Sequence, residues 1–334
     1  TFKQMTVFDN SADEQPISLY SSDTSITTVD QLSCSNNRAV RVAGCMGWRC
    51  ELGSQCDMKR SYFERNEVDT GAVLTLVAIN SNATITDCTF TGNNGSDFGG
   101  AAFVGVGEQD NHGNMQVTNN VFEDNVAALS GALSLNATFM NTNFTNNIVR
   151  GNIAQGAGGV MVQAGCAHQT YHNNTFDSNH GTNNAGGIVI QANEECNGTT
   201  PYIFSFVNNT LTNNSLDGNV SAGLYFTGST QNGPLDVSGN TITDNVWFET
   251  AAFDVAAGNV YTMDGVNINW TMNNVNWTFH TGASAVGNIV VNADNVHLIF
   301  SVPDSTSLNG QNTTAMTYKN FDGNMTAVIE DDQG

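Results

Sequence analysis

Between Asn120 and Gln191 the chain writes one unit three times: Phe-x-x-Asn, a loop, two small residues, then apolar-x-apolar. Phe122-Glu123-Asp124-Asn125 precedes Ser130-Gly131-Ala132-Leu133, Phe144-Thr145-Asn146-Asn147 precedes Gly158-Gly159-Val160, and Phe176-Asp177-Ser178-Asn179 precedes Gly186-Gly187-Ile188. Upstream the unit recurs at Phe63 to Asn66 and Phe90 to Asn93. Downstream it recurs with apolar replacements at Leu211 to Asn214 and Ile242 to Asn245. A period of roughly 22 to 35 residues is the mark of a solenoid, in which no unit buries its own inward face and stacking supplies the core. Seven such coils are expected over residues 60–260.

Apolar residues alternate within each unit, and Val, Ile, Thr and Phe are abundant, so the coils are strands and turns. A second apolar column lies five residues earlier, at Ile85, Val117, Phe139, Tyr171, Phe206 and Val237, which places two strands in each coil before the loop. Parallel stacking then gives a parallel β-helix. Asn66, Asn93, Asn125, Asn147, Asn179, Asn214 and Asn245 share one position of the unit. An asparagine there suits a left-handed bend, and stacked amides at about 4.8 Å can bond one another as a ladder. The paired small residues suit a corner where backbone approaches backbone.

Alternation of Phe-x-x-Asn with Gly-Gly-Ala and a following Ile, Leu or Val, from about Phe63 to Val255, resembles the repeats of polymorphic outer-membrane proteins. The resemblance implies an all-β, right-handed parallel β-helix of pectin-lyase-like type. Similar coils occur in adhesins and in polysaccharide enzymes, so the resemblance leaves the function open.

The formal charge is -22, with only nine Lys and Arg in 334 residues, which argues against nucleic acid and anionic membrane as partners. There is no run of eighteen apolar residues, so no membrane insertion is expected. Cys34, Cys45, Cys50 and Cys56 cluster before the first coil and read as a disulfide-stapled N-terminal cap within residues 1–59. Cys166 and Cys196 follow equivalent strands of adjacent coils, which predicts a bridge between them. Cys88 occupies the column of Asn120, Thr142, Asn174, Asn209 and Asn240, either as a buried thiol or paired with the cap. Disulfides place the chain outside the cell or at its surface.

Sequons for N-glycosylation stand at Asn82, Asn94, Asn136, Asn143, Asn173, Asn197, Asn208, Asn213, Asn219, Asn269, Asn276, Asn312 and Asn324. A chain so rich in Asn and Thr makes sequons by accident. Yet Asn143, Asn173 and Asn208 lie at odd offsets from the inward aromatic positions and are expected to point outward, so covalent N-glycans are expected at several sites.

Residues 1–28 are expected to cover the first coil, or to leave their own body and add to a neighbour. Six cations lie between Arg38 and Arg65, and the chain closes on Glu330, Asp331 and Asp332; this asymmetry allows head-to-tail docking into a filament, or is solvated surface charge. Phe103, Met161, Val189 and Tyr225 fall on the outward position of the second strand, a row that Ser134 and Asp254 break, and form an apolar strip that is an interface or is covered by a loop or by the N-terminal arm of the same chain. Residues 261–334 loosen the rhythm and read as irregular coils with a C-terminal cap or docking segment.

No catalytic constellation or metal site emerges. Arg150 reads as an isolated loop cation, the six histidines lack zinc-ligand spacing, and calcium is at most a loop ligand near Asp110. Glu108 and Asp110 lie three coils from Glu194 and Glu195, about 14 Å at the strand spacing, which is too far for a glycosidase pair. The sequence therefore predicts a secreted structural or adhesive β-helix, without enzymatic activity, that assembles with its own kind or binds extracellular polysaccharide. The alternative is a polysaccharide lyase or hydrolase on the same scaffold.

Overall fold

The structure is a computed structural model. It describes residues 1–105, 113–138, 140–164, 167–192 and 204–217, and beyond these the segments 222–228, 235–236, 240–243, 245–247, 253–256, 263–273, 276–280, 285–294, 297–302, 316–319 and 326–331. It is an all-β parallel solenoid, as the repeat requires. A representative coil runs through Gly113–Thr118, Val121–Glu123, Val126–Ala127 and Leu133–Ala137. The two short bends separating the first three strands each consume only two residues. Each strand pairs in parallel with its counterparts in the coils before and after.

The inward column of the second strand runs Val7, Cys34, Phe63, Phe90, Phe122, Val149, Phe176 and Leu211. That of the first strand runs Met58, Ile85, Val117, Phe144, Tyr171 and Phe206. Phe144 belongs to the first strand, not beside Phe122 and Phe176, and Val149 takes the place it was given. Phe139, assigned to that first-strand column, lies outside the described residues. Both strands end in apolar-x-x-Asn, five residues apart, so a Phe in the first and a Val in the second invites a one-strand slip.

The slip matters because there are two asparagine ladders where one was expected. The first runs through the amides of Asn10, Asn37, Asn66, Asn93, Asn125, Asn152, Asn179, Asn214 and Asn245, at 2.9 to 3.1 Å per step. The second runs through Asn120, Asn147, Asn174, Asn209 and Asn240. Asn147 thus leaves the ladder assigned to it and Asn152 enters. Thr142 likewise leaves the Cys88 column, since it pairs with Gln169. Steps of 27 residues then separate Asn125, Asn152 and Asn179.

Each interior amide is saturated. Asn125 Oδ1 accepts from the backbone N and the Nδ2 of Asn93, while its own Nδ2 donates to Phe90 O and Asn152 Oδ1. An amide offers two acceptor and two donor positions, and all four are used. The left-handed residue of each bend is the one before the ladder asparagine, contrary to expectation: Arg65, Asp124, Ser178 and Asn213 in one column, and Asn119, Asn146, Asn173 and Asn208 in the other, have φ of 50° to 58°, and Asp87 does the same before Cys88. The ladder asparagine itself turns inward and is buried.

At the far corner the small residues do pack backbone on backbone. A Cβ on Gly131 would sit 2.2 Å from Gly158 O, and one on Gly158 2.5 Å from Gly186 O. Between these borders Phe63, Phe90 and Phe122 stack with centroids 4.6 and 5.0 Å apart.

The cysteine-rich segment is built from the same coils, and no change of sheet marks residue 60. Phe2–Lys3, Thr6–Phe8, Ser11–Ala12 and Ile17–Ser21 pair with strands of their own chain, so they lie on their own body. Cys34–Cys45 and Cys50–Cys56 are disulfides, and Cys88 is a buried free thiol. Cys34 occupies the inward column that Phe63 and Phe90 fill in later coils, so a covalent bond crosses the core there. The short corner sheet ends at Val246–Trp247, whereas the other two sheets continue to Met316–Lys319 and Thr326–Asp331.

Two expected outcomes follow. Asn125→Ala orphans a buried N–H, a carbonyl and two amide groups, and should cost at least about 3 kcal/mol in urea unfolding, against under about 0.5 kcal/mol for Asn10→Ala at the exposed end. Burial pushes the Cys88 thiol up to about 12. The Cys88 peptide should therefore resist iodoacetamide in the native protein and be alkylated fully in denaturant, as read by peptide mass spectrometry.

Candidate functional site

With both asparagine columns turned inward, the chemistry available to a partner is whatever the strands and bends carry outward. On the face of the second strand, Glu123, Arg150 and Asp177 lie in register in three successive coils. Arg150 is part of the strand Ile148–Arg150, not a loop residue as the sequence suggested. Its Nε is 2.7 Å from Glu123 Oε1, and the carboxylates of Glu123, Asp124 and Asp177 all hold its guanidinium more firmly protonated, Glu123 most strongly. Asp177 also accepts from Asn213 Nδ2 at 3.1 Å. The carboxylates are therefore engaged by cation and amide donors along a regular sheet face.

A second constellation was not legible in the sequence. His180 reaches across to the next coil, with Nδ1 2.9 Å from Ser215 Oγ and Nε2 3.4 Å from Asp217 Oδ2. Serine, imidazole and carboxylate in this order are the elements of a nucleophilic triad. The nearby backbone, however, is occupied: Ser215 N donates to Asn179 O and Asp217 N to Gly181 O. Neither N–H is left to stabilise an oxyanion. The arrangement works as a clasp between coils. Its signal in the sequence was the equal corner-strand position of His180 and Ser215, which only the correct register reveals.

The bends carry the sequons. Asn173 and Asn208 are the exposed left-handed residues of the first bend in adjacent coils, each followed by a ladder asparagine and an outward threonine. Asn213 holds the same position at the second bend, and Asn94 is exposed on the corner strand. Asn82, Asn136 and Asn143 lie in strands and are half-buried. Asn82 Oδ1 accepts from the backbone N and Nδ2 of Asn114, whereas Asn136 and Asn143 accept the hydroxyls of Thr138 and Thr145. Asn197, Asn219, Asn312 and Asn324 lie outside the described residues, as do Cys166 and Cys196. Asn269 and Asn276 fall in strands whose backbone alone is described.

Five of the six cations between Arg38 and Arg65 are engaged within the chain. Arg38, Arg49, Lys59, Arg60 and Arg65 each pair with an acid of their own chain: Asp69, Glu51, Asp57, Asp30 and Glu64. Of the apolar strip, Met161 is 7 % and Val189 0 % exposed, packed with Ala157 and Ala185 against Leu129 and Tyr225. Phe103 is half-buried against the exposed Phe98, with centroids 5.2 Å apart. Covering by the chain itself, one of the two sequence readings, accounts for Met161 and Val189.

Among the described residues no group of three or more His, Cys, Asp or Glu is placed to hold a metal ion, and no helix is long and apolar enough to cross a membrane. The loop around Asp110 that was considered for calcium lies outside the described residues, apart from Gly113 and Asn114, and so do Glu108, Glu194 and Glu195. No family model, curated protein or solved structure matches the chain.

The Arg60–Asp30 pair gives a pH test. The Arg60 hydrogen bond lowers the Asp30 carboxyl below its ordinary value. A lowered folded-state value means stability that is present above the unfolded value, about 3.9, and is lost as pH falls through the folded one. Melting temperature should drop below about pH 4, and Asp30→Asn should remove that component of the drop.

Proposed function

We propose that this chain is a secreted, N-glycosylated structural or adhesive solenoid that assembles end to end into an extracellular fibre or surface layer. The observation that carries the reading is the pair of saturated internal asparagine ladders. Between Asn10 and Asn245 they commit the polar interior of the described coils to axial rigidity and leave the outer faces regular. A rod of this kind is suited to span distance and present surface. The coils are taken as right-handed and of the polymorphic outer-membrane type, in keeping with the repeats they resemble. Disulfides support an oxidising compartment.

End-to-end assembly is supported by the first coil. Among the described residues Thr6–Phe8 and Ile17–Ser21 pair on one side only, and Met5, Val7, Ile17 and Leu19 are only partly buried over the core. Open strand edges beside incompletely covered apolar side chains are a template for another chain. The occupant proposed is a second copy. Its docking would rest on backbone and apolar contacts, because most of the nearby cations are paired at home.

The second reading is a polysaccharide-active enzyme. Glu123 and Asp177, two coils apart with Arg150 between them, favour it, since two strand spacings are about 9.6 Å, at the upper edge of the separation used by inverting glycosidases.

Cryo-electron microscopy of the secreted protein discriminates between these readings. Filaments with an axial repeat set by one solenoid are the expected result. Monodisperse single rods up to millimolar concentration would sink the assembly reading. Cleavage of an acidic polysaccharide that is lost in Glu123→Gln would establish the enzyme.

A further inference from the structure

The fold itself writes some of the sequons, and this decides where a glycan can sit. In the first bend the order is fixed: a left-handed exposed residue, an inward ladder asparagine, then the first outward residue of a strand. Where the first is Asn and the third is Thr, a sequon results, as at Asn173-Asn174-Thr175 and Asn208-Asn209-Thr210. The coils at Asn119-Asn120-Val121 and Asn146-Asn147-Ile148 have the same geometry and lack it through the third residue alone.

Resting on the reading that the chain is N-glycosylated in a secretory route, we propose that glycans occupy the exposed positions Asn94, Asn173 and Asn208 and are excluded from the in-strand sequons Asn136 and Asn143. In the transfer, Nδ2 forms a bond to the anomeric carbon of a lipid-pyrophosphate-linked oligosaccharide. The bond from that carbon to the pyrophosphate oxygen breaks, and the amide proton leaves with the lipid pyrophosphate.

The substituted nitrogen must then face water in the folded protein. At Asn173 and Asn208 it does, because the left-handed bend throws the side chain away from the sheet while the neighbouring asparagine does the structural work. At Asn143 the side chain is half-buried on a continuous sheet, flanked in register by Gln116 and Thr170 and held by Thr145. At Asn136 it is flanked by Gln163 and held by Thr138. A glycan placed on either during synthesis would have to be accommodated where adjacent coils stack about 4.8 Å apart, so such chains are removed from the folded, secreted population.

Asn213 is exposed, but its amide nitrogen is engaged by Asp177 and its sequon hydroxyl, on Ser215, by His180. The consequence is a sugar-bearing border along the first bend and a second on the corner at Asn94. The face carrying Glu123, Arg150 and Asp177 stays bare and accessible to a partner.

Site-resolved glycopeptide mass spectrometry on the full chain secreted from a eukaryotic host, with enzymatic deglycosylation in heavy-oxygen water, tests the proposal. Occupancy at Asn94, Asn173 and Asn208 is expected to exceed that at Asn136 and Asn143 by tenfold or more. Thr175→Val and Thr210→Val, which leave both asparagines of the bend intact, should each remove one glycan mass without lowering the secreted yield. Comparable glycan at Asn136 or Asn143 overturns the pattern while leaving the protein a glycoprotein. Absence of glycan at every sequon overturns both.

Discussion

A buried primary amide is costly in a protein interior unless all its hydrogen bonds are made, and the structure depends on making them in series. Each asparagine accepts from the coil before it, through backbone and side chain, and donates to a carbonyl of that coil and to the amide of the coil after it. No member can be satisfied alone. The coil height is therefore locked to the amide spacing, and the ladder has one polarity throughout. From Asn120 to Asn240 two ladders set five residues apart fix two bends of the coil, and before Asn120 the first ladder fixes one, which leaves the aromatic columns little freedom of register.

The division of labour inside the bend explains much of the surface. One residue takes the left-handed backbone and faces water, and the next turns in to serve the ladder. The outer residue is consequently free to be Arg, Asp, Ser, Asn or Gly. The exposed sequon asparagines Asn173, Asn208 and Asn213 and the paired cations Arg60 and Arg65 all hold this outer position. Six of the nine cations are matched by an acid of their own or the adjacent coil, so little of the net charge of -22 is offset by free cations among the described residues.

Chemistry that looks catalytic in outline becomes structural in this setting. The Ser215, His180 and Asp217 contacts sit on a strand ladder whose N–H groups are already bonded. A solenoid built on unbroken ladders offers few free backbone donors except at its ends and in its loops.

The sequence by itself determined the solenoid, the parallel strands, an asparagine ladder and the tight glycine corner, because each is a local residue requirement repeated at a fixed period, and it marked the cysteine cluster by composition; that the ladder asparagines turn inward while their neighbours take the left-handed bend came only from the structure. The sequence also placed Asn173 and Asn208 on the outside. What it could not determine was the register at Phe144. Two bends with the same apolar-x-x-Asn signature are indistinguishable locally, and only pairing with Val117 and Tyr171 decides between them. For the same reason the second ladder, the His180 clasp and the ion pairs between residues some 30 positions apart belong to the tertiary structure. The cover over Met161 and Val189 also needed the stacked coils, since burial is set by neighbours that the sequence places a whole turn away.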